Sequence, residues 1–330
     1  MFDKDTPLAV LSSDRAARAV VIGIASLLTV ASAIGLVLKF TMQSEGGKRT
    51  VANLNARTAA WWVMAGVFGL AIYFGKLGAT LLFALMSFLA LREMLTLAPT
   101  RRADHRTMFW AFFVILPLQY YLVYIEWYGL FAIFIPVYGF LFLAVRSTLT
   151  GDSTNYLERT SKIQWAVFLC VYCVSHCPAL LTLPLPGYDG HPWELLVWLV
   201  LVVQLSDVFQ YVWGKLLGRR KFAPHLSPNK TWEGFVGGVL TTTLLGVLLH
   251  PVTPFGPPNA ALIAFAMAVM GFFGGIVMSA IKRDAGIKDY GHLIAGHGGI
   301  MDRIDSLTFA APVFFHVVRF YYLDRPMAVG

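Results

Sequence analysis

Apolar stretches of about 20 residues, recurring along almost the whole chain, leave this sequence few ways to fold. They run at residues 17–40, 58–74, 79–97, 108–125, 128–145, 164–184, 193–217, 232–250, 259–281 and 304–323, each near the length that a bilayer's hydrocarbon core demands of a helix. Inside that core every backbone N–H and C=O must find its partner within the segment. The expectation is therefore an all-α, polytopic integral membrane protein of about ten transmembrane helices. Composition agrees, since 57% of the 330 residues are hydrophobic, 13% are charged and mean hydropathy is +0.66, outside the range of soluble domains. Only Gly75-Lys76-Leu77-Gly78 parts the short segment 58–74 from its successor, which predicts a tight helical hairpin or a partly re-entrant pair.

The net charge of +8 raises the question of nucleic acid. The basic residues are spread over short loops and form no continuous patch, so nucleic acid is not an expected partner. They fall in alternate connections: Lys48, Arg49 and Arg57, then Arg92, Arg101, Arg102 and Arg106, then Arg146, Arg159 and Lys162, then Lys215 to Lys230. By the positive-inside rule these connections face the cytoplasm, with a bacterial inner membrane as the expected setting and membrane lipids as neighbours. Residues 1–18 carry mixed charges and the first apolar run is long enough to stay as a span. Cys170, Cys173 and Cys177 share one apolar segment with His176 and read as small buried hydrophobes rather than a metal cluster.

The charge clusters all fall in the second half. This divides the chain into an N-terminal transmembrane scaffold, 1–163, and a C-terminal transmembrane catalytic region, 164–330, within one membrane unit. No charge constellation is expected in the first half.

The densest cluster is Ser279 to Asp305, SAIKRDAGIKDYGHLIAGHGGIMDRID. Here Lys282, Arg283, Lys288 and Arg303 alternate with Asp284, Asp289, Asp302 and Asp305, beside two spans. Fixed charges of both signs at a membrane surface point to phosphates held by bases and a divalent cation held by carboxylates. Ser279 lies three residues before Lys282 and four before Arg283, so the three share a helix face, as a phosphate site or as a snorkelling helix end. Asp302 and Asp305 are three apart at the start of the last helix, placed to grip one cation or to complement the helix dipole. The glycines Gly298 and Gly299 let a backbone approach a ligand. His297 is a ligand, a phosphate donor or a brace, and the sequence does not choose.

A second cluster, SDVFQYVWGKLLGRRKFAPHLSPNKTWEGFVGG, begins at Ser206. Asp207 stands in an apolar helix one turn before Gln210 and Tyr211, and an intramembrane carboxylate is a functional candidate by default. Further on, Ser227, Lys230, Thr231 and Glu233 read either as a helix-capping arrangement or as a hydroxyl, a lysine and helix-start amides that suit a phosphate chain.

The Ser279–Asp305 stretch resembles the signature of the CDP-diacylglycerol synthases (phosphatidate cytidylyltransferases): Ser-x-x-Lys-Arg, Lys-Asp, Pro-Gly-His-Gly-Gly and Asp-Arg-x-Asp. Asp207 with Tyr211, Gly214 and Gly218, followed by SPNKTWEG, is similar to that family's other hallmark. The two cover roughly the C-terminal third. The resemblance implies transfer of a cytidylyl group from CTP to phosphatidic acid, giving CDP-diacylglycerol and pyrophosphate, with Mg²⁺ and room for a second cation. A homodimer is compatible with it. It assigns Ser227, Lys230, Thr231 and Glu233 to nucleotide, and Lys282, Arg283 and Arg303 to phosphates. Asp289, Asp302 and Asp305 fall to the metal or to the groups that surround and orient its ligands. Asp207 joins the catalytic candidates, and Tyr211, Ser279, Lys288, His297, Gly298 and Gly299 the substrate-binding ones. Two positions depart from the pattern. Ala295 stands where the signature has proline, and Gly275 where the family carries an aspartate. The second departure predicts weakened turnover that Gly275→Asp raises, and it keeps open another lipid phosphate or lipid alcohol as substrate, or a lipid-binding or transport role.

Overall fold

The computed structural model describes residues 15–42, 44–98, 100–185, 192–291 and 298–324. Among them, helices run at α1 Arg15–Thr41, α2 Glu45–Tyr73, α3 Gly75–Thr96, α4 Arg102–Tyr124, α5 Tyr128–Thr148, α6 Tyr156–Thr182, α7 Pro192–Leu217, α8 Trp232–Leu248, α9 Pro257–Asp284 and α10 Met301–Arg319. Eight of them are long and apolar enough to cross a membrane; α2 and α8 are the exceptions. The protein is an all-α polytopic membrane protein, with eight spans on that measure where about ten were expected. The difference has a physical cause in each case. The apolar part of α2, from Thr58 to Tyr73, is too short to fill a span without taking in Arg57, and α8 has only 17 residues.

At the short connection, α2 and α3 meet at the single residue Phe74, with Gly75 in the left-handed region at φ 64°. Gly78 already belongs to α3, so the turn is tighter than the sequence suggested. Helices α4, α5 and α6 each pass through a π segment, at Ala111–Ile115, Phe134–Gly139 and Phe168–Cys173.

The core joins α3, α4 and α6 to α7, α9 and α10. Trp198 of α7 is fully buried and stacks on Phe314 of α10 at 5.3 Å. Cys170, Cys173 and Cys177 are buried as small apolar groups, and His176 sits among the rings of Phe131, Tyr172, Phe315 and His316. Polar groups inside the bundle pair across helices, as Ser87 does with Tyr120 at 2.6 Å and Gln119 with Ser175 at 3.1 Å. In lipid an unpaired polar group has no water to fall back on. Helix α1 lies at the edge, with only 11% of its apolar window buried.

The first half does hold a charge constellation, which corrects the expectation that it had none. Arg159 at the start of α6 is buried, 3.3 Å from Asp104 and 2.8 Å from Asp152. Asp104 also accepts the backbone N–H of Arg101, so the cluster ties the ends of α4 and α6 together. The Arg159 guanidinium holds the Asp152 carboxyl well below its usual range.

Candidate active site

The basic connection after α7 forms an antiparallel hairpin, β1 Lys221–Ala223 and β2 Ser227–Thr231, with Lys221 opposite Thr231 and Ala223 opposite Ser227. Two contacts brace it. Glu233 accepts the backbone N–H groups of Arg219 (3.0 Å) and Arg220 (3.2 Å), and Arg283 donates to the carbonyls of Leu226 (3.3 Å) and Ile287 (3.2 Å). Thr231 is the N-cap of α8, its Oγ1 accepting from Gly234 N–H at 3.1 Å. The helix-capping reading therefore describes Thr231, and Glu233 is a brace for the loop. Helix α8 crosses α7 closely: a Cβ on Gly234 would lie 2.7 Å from the Gln210 carbonyl oxygen and 3.0 Å from Gly214 Cα, so glycine is needed there.

The crossing leaves Lys230 pointing inward. Its ammonium lies 3.3 Å from the Phe272 carbonyl oxygen and 4.5 Å from the centre of the Phe272 ring. It fills the space left by Gly275, where an ideal Cβ would stand 2.7 Å from Nζ. Burial lowers its pKa from the ordinary 10.5, against the upward pull of the nearby Asp207 and Asp305 carboxylates.

These two carboxylates form the acidic part of the site. Asp207 Oδ2 accepts from Ser306 Oγ at 2.8 Å, and Asp305 Oδ1 accepts from the Ser306 N–H at 2.8 Å. The other oxygen of each has no hydrogen bond among the described residues. Arg303 acts electrostatically on both, and its buried Nε has no hydrogen-bond partner. Among the described residues neither Lys230 nor Arg303 is in an ion pair. Two cations and two carboxylates thus lie near enough to act on one another electrostatically, and among the described residues neither cation is in an ion pair.

Asp302 is placed differently. Its Oδ1 takes Lys282 Nζ at 2.9 Å, and its Oδ2 takes the backbone N–H groups of Tyr290 (2.8 Å) and Gly299 (3.0 Å). It closes the loop between α9 and α10. Helix α9 ends there because Gly286 adopts φ 69° and turns its N–H back to the Arg283 carbonyl, a left-handed stop. Gly298 is also left-handed, at φ 81°. Ser279 spends its hydroxyl on the Gly275 carbonyl at 2.8 Å.

The expected ligand set of Asp289, Asp302 and Asp305 is therefore not assembled. Asp289 and Lys288 are exposed, Asp302 serves Lys282 and two amides, and Asp305 pairs with Asp207. Among the described residues no three His, Cys, Asp or Glu side chains converge to hold a metal ion. Tyr211 is 68% exposed on the outer face of α7, away from Gln210, which is buried and bonds Ser206 at 2.8 Å. His297 lies outside the described residues. For Mg²⁺ the fit is with Asp207 and Asp305, whose free oxygens are hard donors of the right kind.

One residue escaped the sequence reading. Glu93 of α3 is 6% exposed, and its carboxylate accepts the backbone N–H groups of Ile300 (3.0 Å) and Met301 (2.9 Å) at the start of α10. The available signal was an acidic residue inside an apolar span, the same signal that singled out Asp207.

Comparison with known proteins gives the family. The pattern of the cytidylyltransferase family is matched over residues 55–321. The chain is 39% identical to the uncharacterized protein YnbB of Escherichia coli (strain K12), over 89% of this chain and 96% of that one. It is 28% identical to the phosphatidate cytidylyltransferase of Bacillus subtilis (strain 168), over 82% and 100%. It is 37% identical to that of Haemophilus influenzae over 44% and 53%.

Proposed function

The chain belongs to the cytidylyltransferase family, and we propose that it transfers the cytidylyl group of CTP to the phosphate of phosphatidic acid, giving CDP-diacylglycerol and pyrophosphate. The observation that carries this reading is the pairing of two cations outside any ion pair, Lys230 and Arg303, with two half-committed carboxylates, Asp207 and Asp305. A site that only stabilised the fold would have closed these charges on each other.

In the proposed reaction a lipid phosphate oxygen attacks the α-phosphorus of CTP, a new P–O bond forms, and the bond to the bridging oxygen of the β-phosphate breaks. No covalent intermediate is required, because the attacking phosphate is already a nucleophile. The protein has to align two polyanions and balance charge as pyrophosphate leaves. Lys230 and Arg303 neutralise phosphate oxygens, and Lys282 holds Asp302 and with it the loop. Asp207 and Asp305 would hold Mg²⁺, which when bound supplies further charge neutralisation. The braced hairpin forms the rim on the side of the basic connections, the side expected to face cytosolic nucleotide.

The test is direct. Purified protein with labelled CTP, Mg²⁺ and phosphatidic acid is expected to yield lipid-linked CMP and pyrophosphate in equal amounts. Labelled lipid appearing only when a different lipid phosphate is supplied would redirect the acceptor assignment, and no CTP-dependent product with any lipid phosphate would overturn the reading.

A further inference from the structure

We propose that Glu93 is a positioning residue of the transfer site, delivered from the first half of the chain to fix the start of α10. The inference rests on the cytidylyltransferase reading for its effect on turnover, and on geometry alone for the contact.

A helix begins with N–H groups that have no partner inside the helix. Here the turn leading into α10 presents consecutive donors on Gly299, Ile300 and Met301, and two carboxylates share them. Asp302, from the helix itself, takes Gly299. Glu93, from α3, takes Ile300 with Oε1 and Met301 with Oε2. The two-oxygen grip suits a carboxylate and not an amide, because the NH₂ end of a glutamine would face one of the donors. The negative charge also lies at the positive end of the helix dipole.

The grip explains two glycines. A Cβ on Gly299 would overlap both Glu93 carboxylate oxygens, so one of the two would have to shift, and one on Gly291 would lie 2.9 Å from Oε1. Neither collides with the backbone of a neighbouring element alone; both meet this one carboxylate. Because Asp302, Arg303 and Asp305 occupy the first turns of α10, the position of Met301 sets theirs. Glu93 does not touch the facing charges of Lys230, Asp207 and Asp305, so its role is placement.

The experiment uses the full chain in detergent or nanodiscs, with Glu93→Gln, Glu93→Ala, Gly299→Ala and the double variant Glu93→Ala/Gly299→Ala. Hydrogen exchange of a peptide covering Ile300 and Met301 is expected to speed up at least about tenfold in Glu93→Ala, with α7 and α9 unchanged. Turnover should fall at least about thirtyfold, with KM for CTP within about threefold, and Glu93→Gln should fall between. Gly299→Ala should cost at least about tenfold with Glu93 present and less than about threefold once Glu93 is alanine. If Glu93→Ala does not fold, the same exchange comparison on Glu93→Gln decides. Unchanged exchange at these amides, or an equal cost of Gly299→Ala in both backgrounds, would overturn the proposal. Should the protein show no CTP-dependent turnover at all, exchange and the melting temperatures of the four variants still test the grip, so the two failures are distinguishable.

Discussion

Gly275→Asp probes the site at the point where the sequence departs from the signature it resembles. Gly275 is buried on α9 one turn before Ser279, and a Cβ there would lie 2.7 Å from Lys230 Nζ, 3.8 Å from its Cε and 3.7 Å from Ser306 Oγ. The obstructing atom is the free end of a flexible side chain, so the lysine gives way and the helices stay put. The new carboxylate then stands beside Lys230, Asp207 and Asp305. The local charge of Asp207, Asp305, Lys230 and Arg303, zero, becomes −1 with the third carboxylate. At an effective dielectric constant of about 20, a divalent cation about 5 Å from that added charge gains roughly 7 kcal/mol, while Lys230 at about 4 Å competes with roughly 4 kcal/mol. Desolvation removes much of the surplus of about 3 kcal/mol. A tenfold effect, ~1.4 kcal/mol, is the floor expected. The assay is the initial rate of CTP-dependent lipid product across a Mg²⁺ titration, with Mn²⁺ binding followed by electron paramagnetic resonance. Half-saturating metal should fall at least about tenfold, and kcat/KM at limiting Mg²⁺ should rise by a similar factor. Unaltered metal dependence and turnover would mean that the cation is held away from residue 275, and that Asp207 and Asp305 are not its ligands.

Asp302→Asn should reduce turnover at least about a hundredfold and also lower the melting temperature, because Lys282 loses its buried partner at a cost of about 3–5 kcal/mol; melting at the parental temperature would contradict the loop-closing role. Lys230→Ala should raise KM for CTP more than that for phosphatidic acid, and an unchanged KM for CTP would confine Lys230 to packing against Phe272. Since burial lowers the Lys230 pKa, its ammonium is lost earlier as pH rises, so CTP affinity should decline on the alkaline side below pH 10.5; Lys230→Arg should push that decline to higher pH, and an identical alkaline limb would refute it. Asp104→Asn should destabilise the fold by about 1–3 kcal/mol, because buried Arg159 keeps Asp152 but loses the second of its two carboxylates, read as a thermal melt in detergent, with CTP affinity unchanged in the protein that remains folded. Asp152, depressed by Arg159, contributes stability that is complete above its ordinary 3.8 and lost as pH falls below it, a loss that Asp152→Asn should not show.

The helices were legible because hydropathy over about 20 residues reports what lipid demands of a segment. Their number was less so, since hydropathy sees the apolar half of α2 and not the polar turns that extend it back to Glu45. The cytidylyltransferase signature was legible as an ordered string of charges. What the string does not contain is the partner of each charge. Asp305 meets Asp207 only because α7 and α10 cross where they do, and Asp302 turns to Lys282 because α9 stops at Gly286. The hairpin was hidden by Pro224 and Pro228, which argue against regular strands, but Pro224 lies in the turn and Pro228 in a two-stranded edge that can tolerate it. Glu93 was hidden because its partners are backbone amides, which every residue carries.

The contact between Glu93 and the turn at Gly299 joins positions separated in the chain by most of its length; Glu93 and Met301 are 208 residues apart. An acidic side chain that reaches this turn forbids bulk at 299, and bulk at 299 forbids that side chain, so the two sites form one unit of inheritance. A chimera that takes residues up to 163 from one relative and the remainder from another will assemble a working turn only if both parents settled this pairing in the same way. Exchange of α1 carries no such condition, because that helix lies at the edge and the contacts of Glu93, Lys230, Asp207 and Asp305 described above are all made with other parts of the chain.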